Sequence, residues 1–180
     1  MMPITPAAQS TSVVLLMGVA GSGKTTIGAL LAGMLHWEFA DADDFHPPSN
    51  VQKMASGVPL TDEDRWPWLD AIAAWIDAHR TAGTHAVVTC SALKRRYRDI
   101  LVGERRDVAL VYLKGSRALI EQRMAMRHEH FMPAALLQSQ FDTLEEPAPD
   151  EQALVVSVDD KPREIASSIA AALHLAIARA

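Results

Sequence analysis

The segment that constrains the fold most is a glycine-rich motif placed directly after an apolar run. Residues 13–17 read VVLLM, and residues 18–25 read GVAGSGKT, which fits the pattern G-x-x-x-x-G-K-[ST]. Apolar residues then recur at helical spacing from Ile27 to Leu35. A strand, a glycine-rich turn and a helix in this order form a phosphate-binding cradle, because the N–H groups of the turn converge and the helix N-terminus adds a partial positive charge. We name residues 18–25 the phosphate loop.

The motif gives separate roles to the residues of the phosphate loop. Lys24 is placed to reach the β- and γ-phosphates of ATP, and Thr25 is placed to hold Mg²⁺. A glycine-rich turn without a ligand is the alternative, but the strand before it and the helix after it favour nucleotide binding. The residues expected to contact the nucleotide are Gly18, Ala20, Gly21, Ser22, Gly23, Lys24, Thr25 and Thr26.

Strand and helix patterns alternate along the chain. The predicted strands are residues 13–17, 37–40, 85–90, 108–113 and 153–158. Their alternation with helical stretches predicts a three-layer α/β/α domain with a mostly parallel five-stranded sheet, the P-loop NTPase fold. We expect residues 13–180 to form this single domain and residues 1–12 to be a loose leader. Ligands of such sheets bind beyond the carboxyl ends of the strands.

Composition and charge argue against several classes of protein. The 180 residues are 49% hydrophobic and 22% charged, as in an ordinary globular protein, and the apolar runs are too short to cross a bilayer. The net charge of −5 argues against a general nucleic-acid binder, which needs a cationic surface. The N-terminus has no secretory signal pattern, and a single cysteine, Cys90, fits a reducing compartment. We therefore expect a cytoplasmic protein with no membrane or nucleic-acid partner.

Two aspartates follow the second predicted strand. Asp41 and Asp43 are two residues apart, so both can point toward the cleft beside the phosphate loop. Asp41 is predicted to complete the magnesium site, and Asp43 to accept the proton of an attacking hydroxyl group. The alternative is that both only cap or solubilise a turn, but their place beside a phosphate loop favours the catalytic interpretation.

Arg123 and Arg127 are four residues apart near the end of a predicted helix and so are expected on one face. We expect them to belong to a helical lid, at about residues 123–135, that closes over ATP and neutralises the transferring phosphoryl group. Two solvated surface arginines are the alternative. His128 and His130 lie in the same stretch, where the want of a third ligand argues against a metal site.

These residues predict a small phosphotransferase that acts on a hydroxyl group, and four further segments resemble the gluconate kinase family, the gluconokinases of the small P-loop kinase type. The segments are MASGVPLTDEDRWPWL (54–69), CSALKRRYRD (90–99), HF (130–131) and QFDTLEEP (140–147). The resemblance implies phosphorylation of D-gluconate by ATP at its 6-hydroxyl, giving 6-phosphogluconate and ADP, and a homodimer. A shikimate-type or nucleotide kinase, and an ATP-binding module without catalysis, are the alternatives.

The same resemblance implies the residues of a sugar-acid pocket. Asp43 would be the proton acceptor, and Arg65 would anchor the gluconate carboxylate unless it only forms a salt bridge with Asp62 or Asp64. A flexible polyol with one carboxylate needs such a cation and several hydrogen-bond partners. Arg98, four residues after Lys94, is expected on the same helical face. The expected substrate contacts are Asp43, His46, Asn50, Arg65, Ser91, Lys94, Arg98 and His130.

Overall fold

Five strands form one parallel sheet in the computed structural model, which describes residues 10–127 and 134–178. The strands are β1 (Val13–Met17), β2 (Glu38–Asp41), β3 (Ala86–Thr89), β4 (Val108–Lys114) and β5 (Leu154–Ser157). Their order in the sheet is β2-β3-β1-β4-β5, and every neighbouring pair is parallel. The predicted five-stranded α/β fold is confirmed.

Helices connect the strands and cover both faces of the sheet. They are α1 (Lys24–Leu35), α2 (Pro48–Ala55), α3 (Asp62–Ala82), α4 (Arg95–Leu101), α5 (Arg117–Ala125), α6 (Ala134–Thr143) and α7 (Pro162–Ala172). Short 3-10 turns lie at Ala42–Phe45 and Pro149–Glu151. In the part of the chain that the structure describes, no helix is both long and apolar enough to cross a membrane.

The side chains of β1 alternate between the two layers of helices. Val14 and Leu16 pack in the core that includes α1 and α7, whereas Val13 and Leu15 pack in the core that includes α3 and α4. All residues of β1 are fully buried, which is typical of a central parallel strand that is covered on both faces. The carboxyl end of β1, where the phosphate loop begins, therefore lies in the middle of the sheet.

A reciprocal cap sets the start of α3. Proline is tolerated in the first turn of a helix, so Pro67 favours Asp64 as the N-cap. In the structure Thr61 is the N-cap: its Oγ1 accepts from the N–H of Asp64 at 3.2 Å, and the Asp64 carboxylate accepts from the N–H of Thr61 at 2.9 Å. This capping box satisfies two N–H groups at once, and it moves the start to Asp62, which leaves Pro67 in the second turn.

A buried ion pair fixes the loop that follows β3. Arg98 is only 2% exposed, and its guanidinium donates to both carboxylate oxygens of Glu151, at 2.6 and 2.9 Å. The same guanidinium donates to the carbonyl oxygens of Ala92 and Leu93. The pair therefore joins α4, the 3-10 turn that contains Glu151 and the loop between β3 and α4.

Replacing Glu151 should destabilise the fold strongly. Glu151→Ala leaves the Arg98 guanidinium buried without its counter-ion, so we expect the free energy of unfolding to fall by about 3–5 kcal/mol. Asp150→Ala is the matched control, because it breaks only the exposed pair of Asp150 with Arg95 and should cost less than about 1 kcal/mol. Urea unfolding followed by circular dichroism measures both values, and equal losses in the two variants would contradict this assignment.

Candidate active site

The phosphate loop lies at the carboxyl end of β1, next to the end of β3. The N–H of Gly18 donates to the carbonyl oxygen of Ser91 at 3.3 Å, which ties the loop to the segment after β3. Gly21 and Gly23 have φ angles of 81° and 90°, a conformation that glycine adopts readily. Ser91 is partly buried at this junction, and Thr26 is exposed in the first turn of α1.

The ammonium group of Lys24 is bound by the phosphate loop itself. Its Nζ donates to the carbonyl oxygens of Gly18 and Val19, at 3.0 Å each. Burial lowers the pKa of Lys24 to about 8, although the nearby carboxylates of Asp41 and Asp43 act in the opposite direction. The cation is thus held beside the loop, where phosphate oxygens could replace the two carbonyl oxygens as its partners.

Asp41 connects the first turn of α1 with the 3-10 turn after β2. One carboxylate oxygen accepts from Thr25 Oγ1 at 2.7 Å, and the other accepts from the backbone N–H of Asp43 at 3.0 Å. The structure thus brings the predicted metal ligands Thr25 and Asp41 together. In the described ranges no group of three or more histidine, cysteine or carboxylate side chains could hold a metal ion. Two oxygen ligands fit Mg²⁺, which takes its remaining ligands from phosphates and water.

Asp43 lies on the 3-10 turn directly beside this pair. Although the residue as a whole is exposed, protein atoms crowd its carboxyl group. This desolvation and the neighbouring Asp41 raise the pKa of Asp43, while His46 and Lys24 act to lower it. Asp43 and Lys24 are therefore close enough to influence each other's ionisation. A raised pKa makes a carboxylate a better proton acceptor.

A tryptophan that the sequence did not single out holds the aspartate turn in place. Trp68 Nε1 donates to the carbonyl oxygen of Ala42, the residue between the two aspartates, at 2.7 Å. The ring of His46 stacks on the indole with a centroid distance of 4.2 Å and an interplanar angle of 13°. Trp68 is buried, and only its place in the WPWL segment of the family resemblance pointed to it.

The buried amide of Asn50 contacts the ring of His46. Asn50 is 2% exposed, and its Nδ2 donates to the carbonyl oxygen of Asp64 at 2.9 Å and lies 3.3 Å from Nδ1 of His46. Because the Asp64 carbonyl only accepts, the amide nitrogen is fixed as the donor, Nδ1 of His46 accepts, and the ring proton is on Nε2. Burial lowers the pKa of His46, which favours the neutral ring. The amide nitrogen of Asn50 thus supports His46, and the predicted substrate contact of Asn50 stays a prediction.

Three cations, which we name the cation cluster, surround the ring of Tyr97. The charged groups of Arg65, Lys94 and Arg96 lie 5.9, 5.6 and 5.9 Å from the ring centroid. The Asp62 carboxylate accepts from Tyr97 Oη, from Arg96 Nη2 and, at 3.4 Å, from Lys94 Nζ. The structure thus brings the predicted residues Arg65 and Lys94 together and adds Arg96, which the sequence did not single out.

The alternative that the sequence left open for Arg65 is present in the structure. Arg65 Nη1 lies 3.9 Å from Asp62, whereas Asp64 pairs instead with Lys53 at 2.8 Å. The hydrogen bond from Tyr97 and the nearby cations hold the pKa of Asp62 below its usual range. Asp62 is therefore a permanent counter-ion of the cation cluster, and its long contact with Arg65 leaves that guanidinium able to bind another anion.

Arg98 does not belong to the cation cluster. Lys94 is the N-cap of α4, while Arg98 lies within the helix and is directed into the protein against Glu151. Its donors are used by Glu151 and by two carbonyl oxygens of the loop after β3. The prediction that Arg98 contacts substrate from the same face as Lys94 is therefore wrong, and Arg98 instead stabilises the loop.

Two members of the predicted phosphate-binding set have their N–H groups bonded elsewhere. The N–H of Ala20 donates to Gln140 Oε1 on α6 at 2.7 Å, and the N–H of Ser22 donates to the carbonyl oxygen of Val19 at 3.2 Å. The Ser22 hydroxyl is buried and has no hydrogen-bond partner among the residues that the structure describes. The predicted nucleotide contacts of Ala20 and Ser22 stay predictions, and in this structure the Ala20 N–H is bonded to α6 and the Ser22 N–H within the turn.

The two predicted phosphoryl-binding arginines do not share a helical face. Helix α5 ends at Ala125, so Arg127 lies beyond its end. Arg123 is partly buried and donates through Nη2 to the carbonyl oxygen of Val158. Arg127 is exposed and close enough to Lys24 to lower its pKa. Of the two, Arg127 is the one whose charge acts on Lys24 of the phosphate loop, whereas Arg123 is bonded to the Val158 carbonyl.

The predicted lid at residues 123–135 falls only partly within the described residues. Its first residues form the end of α5, and its last two form the start of α6. His128 and His130 lie outside the described residues. The substrate contact of His130 stays a prediction.

Comparisons with known proteins show which kinases this chain is similar to. The chain matches the shikimate kinase family over residues 20–174. It is 47% identical to the gluconokinase of Gluconobacter oxydans (strain 621H) over 147 residues, which is 82% of this chain and 83% of that protein. A solved gluconokinase from Sinorhizobium meliloti 1021 is 42% identical, with a TM-score of 0.81 over 92% of this chain and 93% of that one. An unliganded sugar kinase from Janibacter sp. HTCC2649 is 48% identical, with a TM-score of 0.83 over 92% and 96%.

We expect nucleotide affinity to fall as the pH rises above about 8. With a pKa of about 8, Lys24 of the free protein is charged at neutral pH and loses its proton above that value, and a neutral amine cannot balance a phosphate. ATP binding should then take up a proton, and the Kd should rise by as much as about tenfold per pH unit. Calorimetry in buffers of different ionisation enthalpy measures the uptake. Lys24→Arg, which stays charged, should abolish it, and persistent uptake in that variant would contradict the assignment.

Proposed function

Because the chain belongs to the gluconokinase family, within the wider shikimate kinase family, we propose that it transfers the γ-phosphate of ATP to the 6-hydroxyl of D-gluconate. The products are 6-phospho-D-gluconate and ADP. The observation that supports this best is the meeting of Lys24, the Thr25–Asp41 pair and Asp43 at the carboxyl edge of the sheet. These groups can bind a triphosphate, hold its metal ion and accept the proton of an alcohol.

The phosphate loop acts on the nucleotide side of the reaction. Lys24 exchanges the carbonyl oxygens of Gly18 and Val19 for phosphate oxygens and offsets charge on the transferring group. The N–H groups that the turn leaves available, together with the N-terminus of α1, bind phosphate oxygens. Thr25 and Asp41 would hold Mg²⁺, which when bound shields the charge of the β- and γ-phosphates.

Asp43 acts on the hydroxyl side. The 6-oxygen of gluconate attacks the γ-phosphorus, and the bond from that phosphorus to the β–γ bridging oxygen breaks. The hydroxyl proton passes to a carboxylate oxygen of Asp43, whose raised pKa favours the transfer. Asp41 and Trp68 hold the turn that carries Asp43, so the carboxylate needs little rearrangement before it reacts.

The cation cluster is proposed to anchor the carboxylate of gluconate. Arg65 and Lys94 lie 3.9 and 3.4 Å from Asp62, contacts long enough to be exchanged for a substrate carboxylate. A charged anchor of this kind fixes one end of a flexible polyol and so limits where its far hydroxyl can lie. The Nε2–H of His46 and the hydroxyl of Ser91 are the proposed partners for the hydroxyl groups between the two ends.

Oligomeric state and location complete the proposal. We propose a homodimer on the resemblance of the sequence, which light scattering would test directly. We propose a cytoplasmic location because the single cysteine, Cys90, is a free thiol buried in the core, as suits a reducing compartment. Burial raises the pKa of this thiol to about 12. The net charge of −5 supports a small-molecule substrate rather than nucleic acid or a membrane surface.

A substrate screen tests the proposed activity. Release of ADP should be followed with gluconate, shikimate and nucleoside monophosphates as acceptors. We expect turnover with gluconate. Turnover only with shikimate or a nucleotide would contradict the proposal, and ATP binding without turnover on any acceptor would indicate a module that binds ATP but does not catalyse.

Asp43→Asn should lower kcat by about a hundredfold or more and leave ATP affinity nearly intact. The variant removes the proton acceptor, which typically contributes about 10²–10⁴ in rate. In the wild type, kcat should fall as the pH drops through the raised pKa of Asp43, because a protonated carboxyl group cannot accept the proton. Steady-state kinetics across pH measures both effects. Asp44→Asn is the control and should keep kcat within about twofold, and wild-type turnover in Asp43→Asn would identify another base.

Lys94→Ala should raise the KM for gluconate by about 10- to 100-fold with the KM for ATP unchanged. The variant removes a charge-assisted contact worth about 1.5–3 kcal/mol from the proposed carboxylate anchor. Arg95→Ala is the matched control, because the adjacent Arg95 pairs with Asp150 outside the cation cluster. Initial rates over gluconate concentration measure the difference, and equal KM values in the two variants would remove Lys94 from the site.

A further inference from the structure

We propose that Gln140 is a positioning residue for the nucleotide, acting through the backbone of the phosphate loop. Its side-chain Oε1 accepts a hydrogen bond from the N–H of Ala20 at 2.7 Å, across 120 residues of sequence. Gln140 lies on α6, which the motif of the phosphate loop does not include. This residue would set the shape of the loop without contacting ATP itself, and the inference rests on the proposed function for the identity of the nucleotide.

The position of Gln140 on α6 prepares its side chain for this contact. Leu137, one turn earlier, is only 4% exposed and packs in the core shared with α1 and α7. Phe141, the next residue, packs partly buried against the same core. The helix is therefore anchored on both sides of Gln140, and little side-chain freedom is lost when the hydrogen bond forms.

The chemistry at this position requires an acceptor without charge. The N–H of Ala20 is partly buried and would lose free energy if it had no partner, so an apolar side chain at position 140 is unfavourable. A carboxylate would accept equally well, but it would place a negative charge beside the phosphates that the loop binds. Among residues of this length, glutamine meets both conditions.

A second helix holds the next residue of the loop. A methyl group at Gly21 would lie 2.7 Å from Sδ of Met124 and 3.2 Å from Cγ2 of Ile120, both on α5. The backbone of Gly21 therefore lies directly against α5, while the adjacent Ala20 is bonded to α6. Contacts with α5 and α6 therefore hold the phosphate loop at Ala20 and Gly21, in addition to its chain connections to β1 and α1.

A change in the backbone at Ala20 would directly alter the contacts of Lys24, the proposed phosphate-binding cation. The carbonyl oxygen of Val19, in the peptide unit that carries the Ala20 N–H, accepts from Lys24 Nζ and from the N–H of Ser22. If Gln140 no longer holds that peptide, it can rotate, and both contacts of the Val19 carbonyl change with it. We therefore expect the loss of Gln140 to weaken binding of the phosphates rather than of gluconate.

The experiment compares three variants on the full chain. Gln140→Leu removes the acceptor at similar size, and Gln140→Glu keeps an acceptor but adds charge. Gln138→Leu is the matched control on the same helix, because among the described residues Gln138 bonds within α6, to Asp142. The Kd values for ADP and AMP are measured by displacement of a fluorescent nucleotide, and the KM values for ATP and gluconate by initial rates.

We expect Gln140→Leu to raise the Kd for ADP by about three- to tenfold, which corresponds to the loss of one hydrogen bond. The Kd for AMP and the KM for gluconate should change by less than about twofold. Gln140→Glu should also raise the Kd for ADP, and this increase should become smaller as the ionic strength rises. Gln138→Leu should bind ADP like the wild type. A wild-type Kd for ADP in Gln140→Leu would overturn the proposal. An equal rise in the Kd values for ADP and AMP would also overturn it, because it would indicate general damage to the fold.

The design also keeps this inference separate from the proposed function. If the wild type binds ADP but does not phosphorylate gluconate, the proposed function fails while the ADP measurements still decide the role of Gln140. If Gln140→Leu does not fold, Gln140→Ala takes its place because it also removes the acceptor, and Gln140→Glu tests only whether position 140 lies near the phosphates. A wild-type Kd for ADP in Gln140→Ala would then overturn the proposal.

Discussion

The carboxylate of Asp41 is the contact on which both halves of the site depend. One of its oxygens binds the hydroxyl of Thr25 at the start of α1, and the other binds the N–H of Asp43 on the neighbouring turn. Parallel pairing of β2 with β3, and of β3 with β1, brings these strand ends to one edge of the sheet. A single side chain thus connects the proposed metal ligand Thr25 with the proposed proton acceptor Asp43 through two hydrogen bonds, and a shift of β2 would separate them.

The parts of the structure that the sequence predicted are those that depend on short-range patterns. The buried run of β1, the glycines of the phosphate loop and the periodicity of α1 are contiguous, so the motif was enough to place Lys24 and Thr25. The pairing of Thr25 with Asp41 was also predictable, because both follow strands of one parallel sheet and oxygen ligands gather at its carboxyl edge. The start of α3 was placed too late, because Pro67 favoured Asp64 as the N-cap whereas the mutual bonds of Thr61 and Asp64 set Thr61 as the cap.

The features that the sequence did not predict have a common physical cause: these groups bond to partners that are distant in the sequence. Spacing along a helix suggested that Arg98 faces the same side as Lys94, but Glu151, 53 residues away, draws its guanidinium into the core. The motif places Ala20 among the nucleotide contacts, and it gives no sign that a glutamine 120 residues later accepts from the Ala20 N–H. No local pattern encodes either pair. Arg96 and Trp68 were missed for the same reason, since their roles depend on a ring and a carbonyl group that only the tertiary fold brings near.

The two carbonyl oxygens that hold Lys24 also bear on how a catalytic cycle ends. When a product nucleotide departs, the ammonium group returns to Gly18 and Val19 and is never left as a bare buried charge. These two hydrogen bonds lower the free energy of the free enzyme relative to the complex. They therefore weaken binding of the nucleotide by the same amount of free energy. A loop that solvates its own cation in this way binds the nucleotide with lower affinity, and the product nucleotide is released more readily.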